Sequence, residues 1–525
     1  MWRKFLLLFY TMIHLKPIQL VYQLWYRLKS KWPIKQNYGN SYDSVAKLQW
    51  VDAIFNLQTY IGEKNFRFLN IEHQFKTSID WNFNLHKKLW TYNLNYFDFL
   101  NQETITKADG LFLMEQFIKE YNSLEDGKDP YPTSLRLINW IKFIAKHQIN
   151  DKQVFEVLRE DANRLCKNLE YHLLGNHLLE NGFALWFAAH LFKDKKFLQK
   201  ATSILYKQLK EQVLQDGGHF ELSPMYHQLM LYRVLDCTQL AELNPFADAR
   251  IIYFLRKKAS KMSSWLQNMT FKGGQIPLFN DSANNINPNS ESIFHYVNAL
   301  KIKSVDIALS ASGYRKLLGK NYQLIADVGS VGPLYQPGHA HADTFNFELY
   351  VNQKPIIVDS GTSTYNIGST RSLERSTAAH NTVTVNNSNS SQVWSGFRVA
   401  KRAHITGIVM QDGILTATHN GFKKFGVAHQ RSWKYTTNEI IIKDKLIGKK
   451  TKGKAFFHLH SSVKQPLMKE NKVILESSGV IFDFENESNI EIQEYKLSKG
   501  FNKRILAYKI VITFNQNLKT KIKFN

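Results

Sequence analysis

Hydrophobic periodicity predicts an α+β multidomain protein, helical in its first part and antiparallel β-sheet in its second. Three observations carry the prediction. From about residue 40 to 310, apolar residues recur at spacings of three and four, as in Leu137-Ile138-Ile141-Ile144 and Leu231-Val234-Leu235, the period of a helix with one buried face. After about residue 320 the period becomes two, as in Phe345-Phe347-Leu349-Val351 and Thr382-Val383-Thr384-Val385, the period of a strand. The chain has 525 residues, enough for two or more domains with large cores.

Residues 1–38 form a basic aromatic segment. Met1-Trp-Arg-Lys precedes an apolar stretch from Phe5 to Leu15, the order of the first two parts of a signal peptide. Lys16-Pro17 follows, without a small-residue cleavage site. The stretch is too short to span a bilayer, and His14 interrupts it. Arg3, Lys4, Lys16, Arg27, Lys29 and Lys31 stand among Trp, Tyr and Leu. That pattern predicts an amphipathic basic helix, packed on the domain or making peripheral contact with a membrane.

Residues 39–312 read as helices of ten to twenty residues separated by short polar breaks such as Asp126-Gly-Lys-Asp-Pro and Asp216-Gly-Gly. A run of helical hairpins forms a solenoid or closes into a toroid. Residues 313–525 read as an antiparallel all-β domain, most simply a large sandwich. Val351-Asn-Gln-Lys and Met410-Gln-Asp-Gly-Ile are its hairpin turns, and Ile440-Ile441-Ile442, Val473-Ile474-Leu475 and Val511-Ile512-Thr513 are further strands.

The formal charge is +24, a field that concentrates polyanions. Nucleic acid, anionic lipid and acidic polysaccharide are the candidate partners. No helix-turn-helix, RNP signature or zinc-finger spacing is present, so nucleic acid lacks a reader element. Aromatic residues make up 13% of the chain, and aromatic faces serve sugar clefts as well as cores. The two cysteines, Cys166 and Cys237, sit in apolar helical contexts and read as small core residues.

Several segments carry side chains capable of chemistry. In Gly338-His-Ala-His-Ala-Asp, side chains two apart would share a strand face, so His339, His341 and Asp343 would project together. Asp359 and His380 lie at the ends of neighbouring strand-like runs. In the helical part, Gly175-Asn-His-Leu-Leu-Glu-Asn-Gly brings Asn176, His177 and Glu180 within two turns; Asn176 reads as a site residue or as a helix cap. Asp216-Gly-Gly-His-Phe-Glu-Leu-Ser-Pro-Met-Tyr-His delivers Glu221, then starts a helix with Tyr226 and His227 in its first turn. A tyrosine there, near basic groups, is expected to have a lowered pKa and to pass protons. Tyr92 and Asn95 lie in an aromatic and amide-rich stretch. Arg136 and Asn139 lie on one helix, where Arg136 would hold a carboxylate bidentately or tie two helices together.

Taken together, Tyr92–Asp98, Tyr131–Trp140, Asn176–Ala184, Asp216–His227, His339–Thr362 and His380–Val385 resemble, in order, the heparinase II/III family of polysaccharide lyases, which is also similar to some alginate lyases. The resemblance implies an incomplete (α/α) toroid followed by a β-sandwich, and β-elimination at a uronic acid in an acidic polysaccharide. It implies that Asn176, aided by His177, neutralises the substrate carboxylate. Tyr226 would be base, acid or both, and His339 a second base or a charge stabiliser. Tyr365 is the nearest candidate for a second catalytic tyrosine. Tyr92, Asn95, Arg136, Asn139, Glu180, Glu221 and His227 would form the substrate-binding surroundings. The resemblance also implies a structural zinc on His341, Asp359 and His380. The basic aromatic N-terminus resembles that of lyase-like proteins of bacterial exopolysaccharide or capsule clusters, which implies a periplasmic or cell-envelope location. Two other classes fit the same residues. One is a non-catalytic polysaccharide-binding protein of an assembly system. The other is an (α/α)-toroid glycoside hydrolase, which needs two carboxylates flanking one bond, with Glu180, Glu221 and Asp281 available.

Overall fold

The computed structural model describes residues 2–31, 45–286 and 288–524. Two helices, α1 (Trp2–Met12) and α2 (Pro17–Lys31), open the chain. The expected boundary at 38/39 lies outside the described residues. The helical half follows with α3 (Lys88–Tyr96), α4 (Lys107–Lys119), α5 (Pro130–His147), α6 (Lys152–Lys167), α7 (Gly175–Phe192), α8 (Lys195–Gln212), α9 (Pro224–Leu243), α10 (Ala249–Met269) and α11 (Ser290–Ala299). Among the described residues, six helices of this half begin at a side-chain N-cap. Thr106, Asp151, Asp194, Ser223, Asp248 and Asn289 each accept a backbone N–H of the helix that follows, satisfying donors that a helix start leaves unpaired. Helix α7 is buried along nearly its whole length, with Phe183, Leu185, Trp186 and Phe187 fully buried. It therefore occupies the centre of the half, packed against α5, α6, α8 and α9.

One stretch expected to be helical is not. Tyr60–Gln74 folds as three short antiparallel strands, β1 (Tyr60–Gly62), β2 (Asn65–Phe68) and β3 (Ile71–Gln74). Glu63-Lys64 and Leu69-Asn70 turn the chain with positive φ, and the alternating Phe66 and Phe68 enter the helical core. The local period is two, and the surrounding helical pattern masks it.

The second half begins at β4 (Tyr314–Leu318), which forms a four-stranded antiparallel sheet with β5 (Tyr322–Asp327), β6 (Phe347–Val351) and β7 (Lys354–Ile357). Its two faces differ in destination. Leu324, Phe347 and Leu349 enter the core of the sheet-rich half. Tyr314, Ile325 and Tyr350 pack on Trp265 and Met269 of α10. This sheet thus joins the halves. The short β8 (Val383–Val385), β9 (Val393–Trp394) and β10 (Arg398–Val399) follow, separated by the helix α12 (Ser369–Glu374) from β7. The chain then meanders through β11 (Ile405–Gln411), β12 (Ile414–His419), β13 (Val427–Tyr435), β14 (Glu439–Gly448), β15 (Lys452–His458), β16 (Leu467–Lys469), β17 (Lys472–Leu475), β18 (Val480–Ser498) and β19 (Arg504–Phe524). The large sheet has the order β11-β12-β13-β14-β19-β18-β17-β16, and the long β19 also pairs with β15, which in turn pairs with β8. Asn352-Gln353 and Asp412-Gly413 take positive φ at both central positions of their hairpins, as two-residue turns between twisted strands require.

A buried ionic cluster joins β13 and β14 to the site loops. Arg431 donates to Asp444 through Nε at 2.7 Å and to the carbonyls of Phe345 and Asn381 at 2.9 and 2.6 Å. His429 Nε2 lies 2.7 Å from the same carboxylate. Burial opposes the charge on Asp444, but Arg431 and His429 override it and hold its pKa at about 2, against an ordinary 3.8. A depressed carboxylate pKa stabilises the fold above the unfolded value, and that contribution is lost as pH falls through the folded value. Asp444→Asn should therefore be less stable than wild type near neutrality. In chemical denaturation the gap should shrink by about 2 kcal/mol as pH falls from above 3.8 to about 2; a gap independent of pH would refute this assignment.

Candidate active site

A cleft of about 570 Å³ opens where the two halves meet. From the helical half come Tyr92 on α3, Asn176 and His177 at the start of α7, Glu221 before α9, and Tyr226 on α9. From the sheet-rich half come His339 and Tyr365 on loops. Asn176 is the second residue of α7, whose N-cap position belongs to Leu174. Its side chain does not cap the helix. The backbone N–H and Nδ2 of Asn176 both donate to Glu221, each at 3.1 Å. Burial raises the pKa of Glu221, against the pull of His339 and Asn176. His177 lies with its ring 4.7 Å from that of Tyr131, and its Nδ1 is 3.0 Å from Glu170. Burial works against the charged imidazole, but Glu170 outweighs it, so the His177 pKa lies above the ordinary value.

Tyr226 stacks on His339 at 3.9 Å between ring centroids, and its hydroxyl lies 3.2 Å from that of Tyr365. The expected lowering of the Tyr226 pKa does not occur. Burial raises it, more than the Tyr365 hydroxyl lowers it, so the phenol is neutral at rest. His339 Nδ1 is 3.0 Å from Asp281 Oδ2, while Nε2 faces Glu221 at 3.9 Å. Asp281 is fully buried, yet its pKa lies well below the ordinary value. Burial opposes this charge, and the paired Arg371 guanidinium overrides it. An ionised Asp281 accepts the hydrogen bond of His339 Nδ1–H, which in the neutral ring makes Nε2 the lone-pair nitrogen facing the cleft.

The His-Ala-His-Ala-Asp segment is not a strand. Residues 339–346 form an irregular loop, and β6 starts only at Phe347. His339 and His341 nevertheless converge, because Asp281 accepts from both: Oδ2 faces His339, and Oδ1 lies 2.9 Å from His341 Nε2. His380 Nδ1 is 2.8 Å from Asp359 Oδ2, and the His341 and His380 rings are 5.2 Å apart. Among the described residues, no three His, Cys, Asp or Glu side chains form a ready-made metal cage. His341 Nδ1 and His380 Nε2 are nonetheless buried nitrogens without a hydrogen-bond partner. Asp343 is buried beside them, its pKa raised by that burial to about 6.

Five residues expected around the substrate are packed behind the cleft wall. Arg136 is fully buried, donating to Asp161 through Nε and Nη2 at 2.8 and 2.6 Å and to the Gly127 carbonyl at 2.9 Å. It ties α5 to α6, the alternative reading of that residue. Asn139 donates to the Tyr96 carbonyl at 2.9 Å and to Asp98 at 2.6 Å, and Asn95 to the carbonyls of Trp81 and Thr91, each at 2.9 Å. These amides satisfy buried backbone acceptors. His227 Nε2 meets the Met262 carbonyl at 2.9 Å, and burial lowers its pKa to about 4. Glu180 lies behind Arg233, 3.5 Å from its Nε. Burial raises the Glu180 pKa to about 7, with Arg233 opposing.

Arg233 itself lines the cleft. The sequence reading passed over it, because it sits inside an apolar helical pattern. Asp281, Arg371 and Glu170 were likewise missed as orienting groups. Asp281 lies in a short polar turn, and Arg371 and Glu170 carry no motif. Asp281 and Arg371 act across long sequence separations, and Glu170, seven residues before His177, lies outside its helix.

The family model described as "Heparinase II/III N-terminus" matches residues 133–302, and that described as "Heparinase II/III-like, C-terminal" matches residues 303–525. A heparin-sulfate lyase of Bacteroides stercoris is 25% identical over 356 residues, 62% of this chain. The match spans about half the length of that relative. Among solved structures, heparinase III covers 97% of this chain and 91% of its own, at a TM-score of 0.64 and 14% identity. Heparan sulfate lyase HepC of Pedobacter heparinus covers 96% and 88%, at a TM-score of 0.55 and 18% identity. These likenesses are of fold.

The structural role of Arg136 can be tested by stability. Arg136→Ala leaves the Asp161 carboxylate buried with only Arg164 as a charged partner. It should cost about 3 kcal/mol in denaturant unfolding. A loss below about 0.5 kcal/mol, the range of ordinary surface substitutions, would show that Arg136 is not structural.

Proposed function

The chain belongs to the heparinase II/III family, and from that premise we propose that it is a polysaccharide lyase cleaving a uronate-bearing acidic polysaccharide by β-elimination. The convergence of Asn176, Tyr226 and His339 on one cleft carries the reading. A binding module needs no paired proton donor and acceptor, whereas Tyr226 and His339 stack at 3.9 Å. The names of the relatives, heparin-sulfate and heparan sulfate lyases, favour a glycosaminoglycan-type chain. The paired helices and the facing sheets support the incomplete (α/α) toroid and the sandwich of the family.

The C5 proton of a uronate lies α to a carboxylate and is weakly acidic. Neutralising that carboxylate and holding the enolate-like anion make its removal feasible. Asn176 offers an amide, and His177 a charge sustained by Glu170. Arg233 adds a fixed positive charge on the same wall. His339 Nε2 takes the C5 proton, its ring oriented by Asp281. Tyr226, neutral at rest, protonates the departing C4 oxygen, and its hydroxyl is held by Tyr365. The hydrolase reading finds little support. Of Glu180, Glu221 and Asp281, only Glu221 lines the cleft, while Asp281 is committed to Arg371 and two histidines.

The zinc belongs to this proposal too. The unpaired His341 and His380 nitrogens, with Asp359 against His380, supply imidazole and carboxylate donors of the kind zinc takes. An ion held by His341, Asp359 and His380 would brace the loop that carries His339.

Incubation with a panel of acidic polysaccharides should release unsaturated uronates, read by ultraviolet absorbance. Cleavage without that absorbance would mark a hydrolase, and binding without cleavage an assembly protein. Tyr226→Phe should lower turnover by about two orders of magnitude with the fold intact. Asn176→Ala should lower the chemical rate by roughly 2–4 kcal/mol of transition-state stabilisation; a rise in KM alone would make Asn176 a binding residue.

Metal analysis should find about one zinc per chain, as for a single structural site. His341→Ala should lose it and melt at lower temperature, whereas His339→Ala should keep the metal and lose activity. Metal-free protein of unchanged melting temperature would remove the zinc from the account.

A further inference from the structure

The N-terminal helices are amphipathic in the reverse sense. The stripe of α2 turned to the body consists of Gln19, Tyr22, Gln23, Tyr26 and Lys29, spaced as one helical face. Its anchors are polar. Gln19 donates to the Leu173 carbonyl at 3.2 Å, the Tyr26 hydroxyl to the Leu169 carbonyl, and Lys29 to Asn168 at 2.8 Å. The opposite face is apolar and open to solvent, with Val21 62% and Leu24 60% exposed beside Trp25 and Leu28. Helix α1 repeats the arrangement. Thr11 accepts from Trp394 Nε1 at 3.1 Å, and Lys401 sits over the Tyr10 ring. Trp2, Phe5, Phe9 and Met12 face outward, Trp2 being 72% exposed. An apolar surface that spans two consecutive helices, with their polar sides spent on the protein, is not a solubilising surface.

We propose that the α1–α2 pair lies in the headgroup layer of an anionic lipid bilayer and holds the cleft beside the membrane. Charge selects lipid as the occupant. Residues 2–31 contain no Asp or Glu, and they carry Arg3, Lys4, Arg27 and Lys31 besides Lys16 and Lys29, which the body engages through Glu211 and Asn168. The whole chain carries +24, which disfavours a second copy and attracts an anionic surface. Trp2 and Trp25 suit the interface, where aromatic rings are enriched. Among the described residues no single helix is long and apolar enough to cross a membrane, and α1 and α2 meet at 115°, as two helices lying in one plane can.

The pair also bridges both walls of the cleft. Leu173 and Leu174, under α2, line it from the helical half. Lys16 sits over the Tyr335 ring, next to the cleft residue Gln336. Trp394 of β9, which donates to Thr11 of α1, is three residues from Phe397, which lines the cleft from the other half. Docking would therefore present the cleft to a polymer at the membrane surface, whichever reaction the cleft performs.

The test is co-sedimentation of the full chain with phosphatidylcholine vesicles, with and without about one-third phosphatidylglycerol, at low salt. Wild type should bind the anionic vesicles at least about tenfold more tightly than the neutral ones. Val21→Ser/Leu24→Ser/Trp25→Ser should weaken that binding by at least about tenfold, from the apolar area lost, with an unchanged melting temperature. Should this variant misfold, Trp2→Ser/Phe5→Ser on α1 carries the same expectation. Three results would each overturn the proposal. One is failure of wild type to sediment with vesicles. Another is retention after an alkaline carbonate wash, which marks a membrane span. The last is a wild-type dimer that the variants dissociate without any vesicle binding, which assigns the face to a second copy.

Discussion

Asp281 carries a negative charge where no water reaches it, and the geometry of the cleft depends on how that charge is held. Its carboxylate meets the Arg371 guanidinium, His339 Nδ1, His341 Nε2 and the Thr362 hydroxyl. The backbone closes the same junction, since the Asp281 N–H donates to the His339 carbonyl at 3.1 Å. A buried charge is tolerable only with partners of this kind, and removing one partner leaves the others uncompensated. Asp281 belongs to the helical half, and its partners belong to α12 and loops of the sheet-rich half. One carboxylate thus fixes how the halves meet, the ring orientation and tautomer of His339, and the position of His341.

The same economy recurs around it. Ser223, which caps α9 and so sets the direction of Tyr226, also donates to the Asp281 carbonyl at 3.0 Å. Asn280 accepts the His341 N–H at 3.0 Å and donates to the Leu222 carbonyl at 2.9 Å. The turn at 280–282 therefore positions a tyrosine on a helix and a histidine on a loop together, which places their rings in stacking contact. Across the cleft, Glu221 and Glu170 orient Asn176 and His177 in the same way. Asn176, His177 and His339 are thus each held by an acid: Glu221, Glu170 and Asp281.

Much of the fold was legible in the sequence because it rests on local periodicity. The switch from a period of three to four to a period of two locates the passage from α11 to β4. The Ser223-Pro224 start of α9 was legible because a serine side chain satisfies an unpaired backbone donor there. The local rule failed at Tyr60–Gln74, where three strands are short enough to hide among helical spacings, and at residues 339–346, where an alternating pattern belongs to a loop. In that loop the side chains answer to Asp281 rather than to a strand neighbour.

The cleft itself divides along the same line. Asn176, His177, Glu221, Tyr226 and His339 could be read from the sequence, because unusual residue types cluster within short segments there. Arg136, Asn139, Asn95, Glu180 and His227 came from the same segments, and one-dimensional spacing could not separate them from the others. A helix shows several polar residues within two turns, but only packing decides which of them meets the cleft and which meets a buried carbonyl or Asp161. The sequence by itself determined the order of architectures and the segments that supply chemistry, because these depend on neighbours within a few residues. The tertiary structure alone decided the roles of Asp281, Arg371 and Arg233, the raised pKa of Tyr226, and the outward apolar face of α1 and α2. Those depend on burial and on charges brought together from distant parts of the chain, and neither exists until the halves have packed.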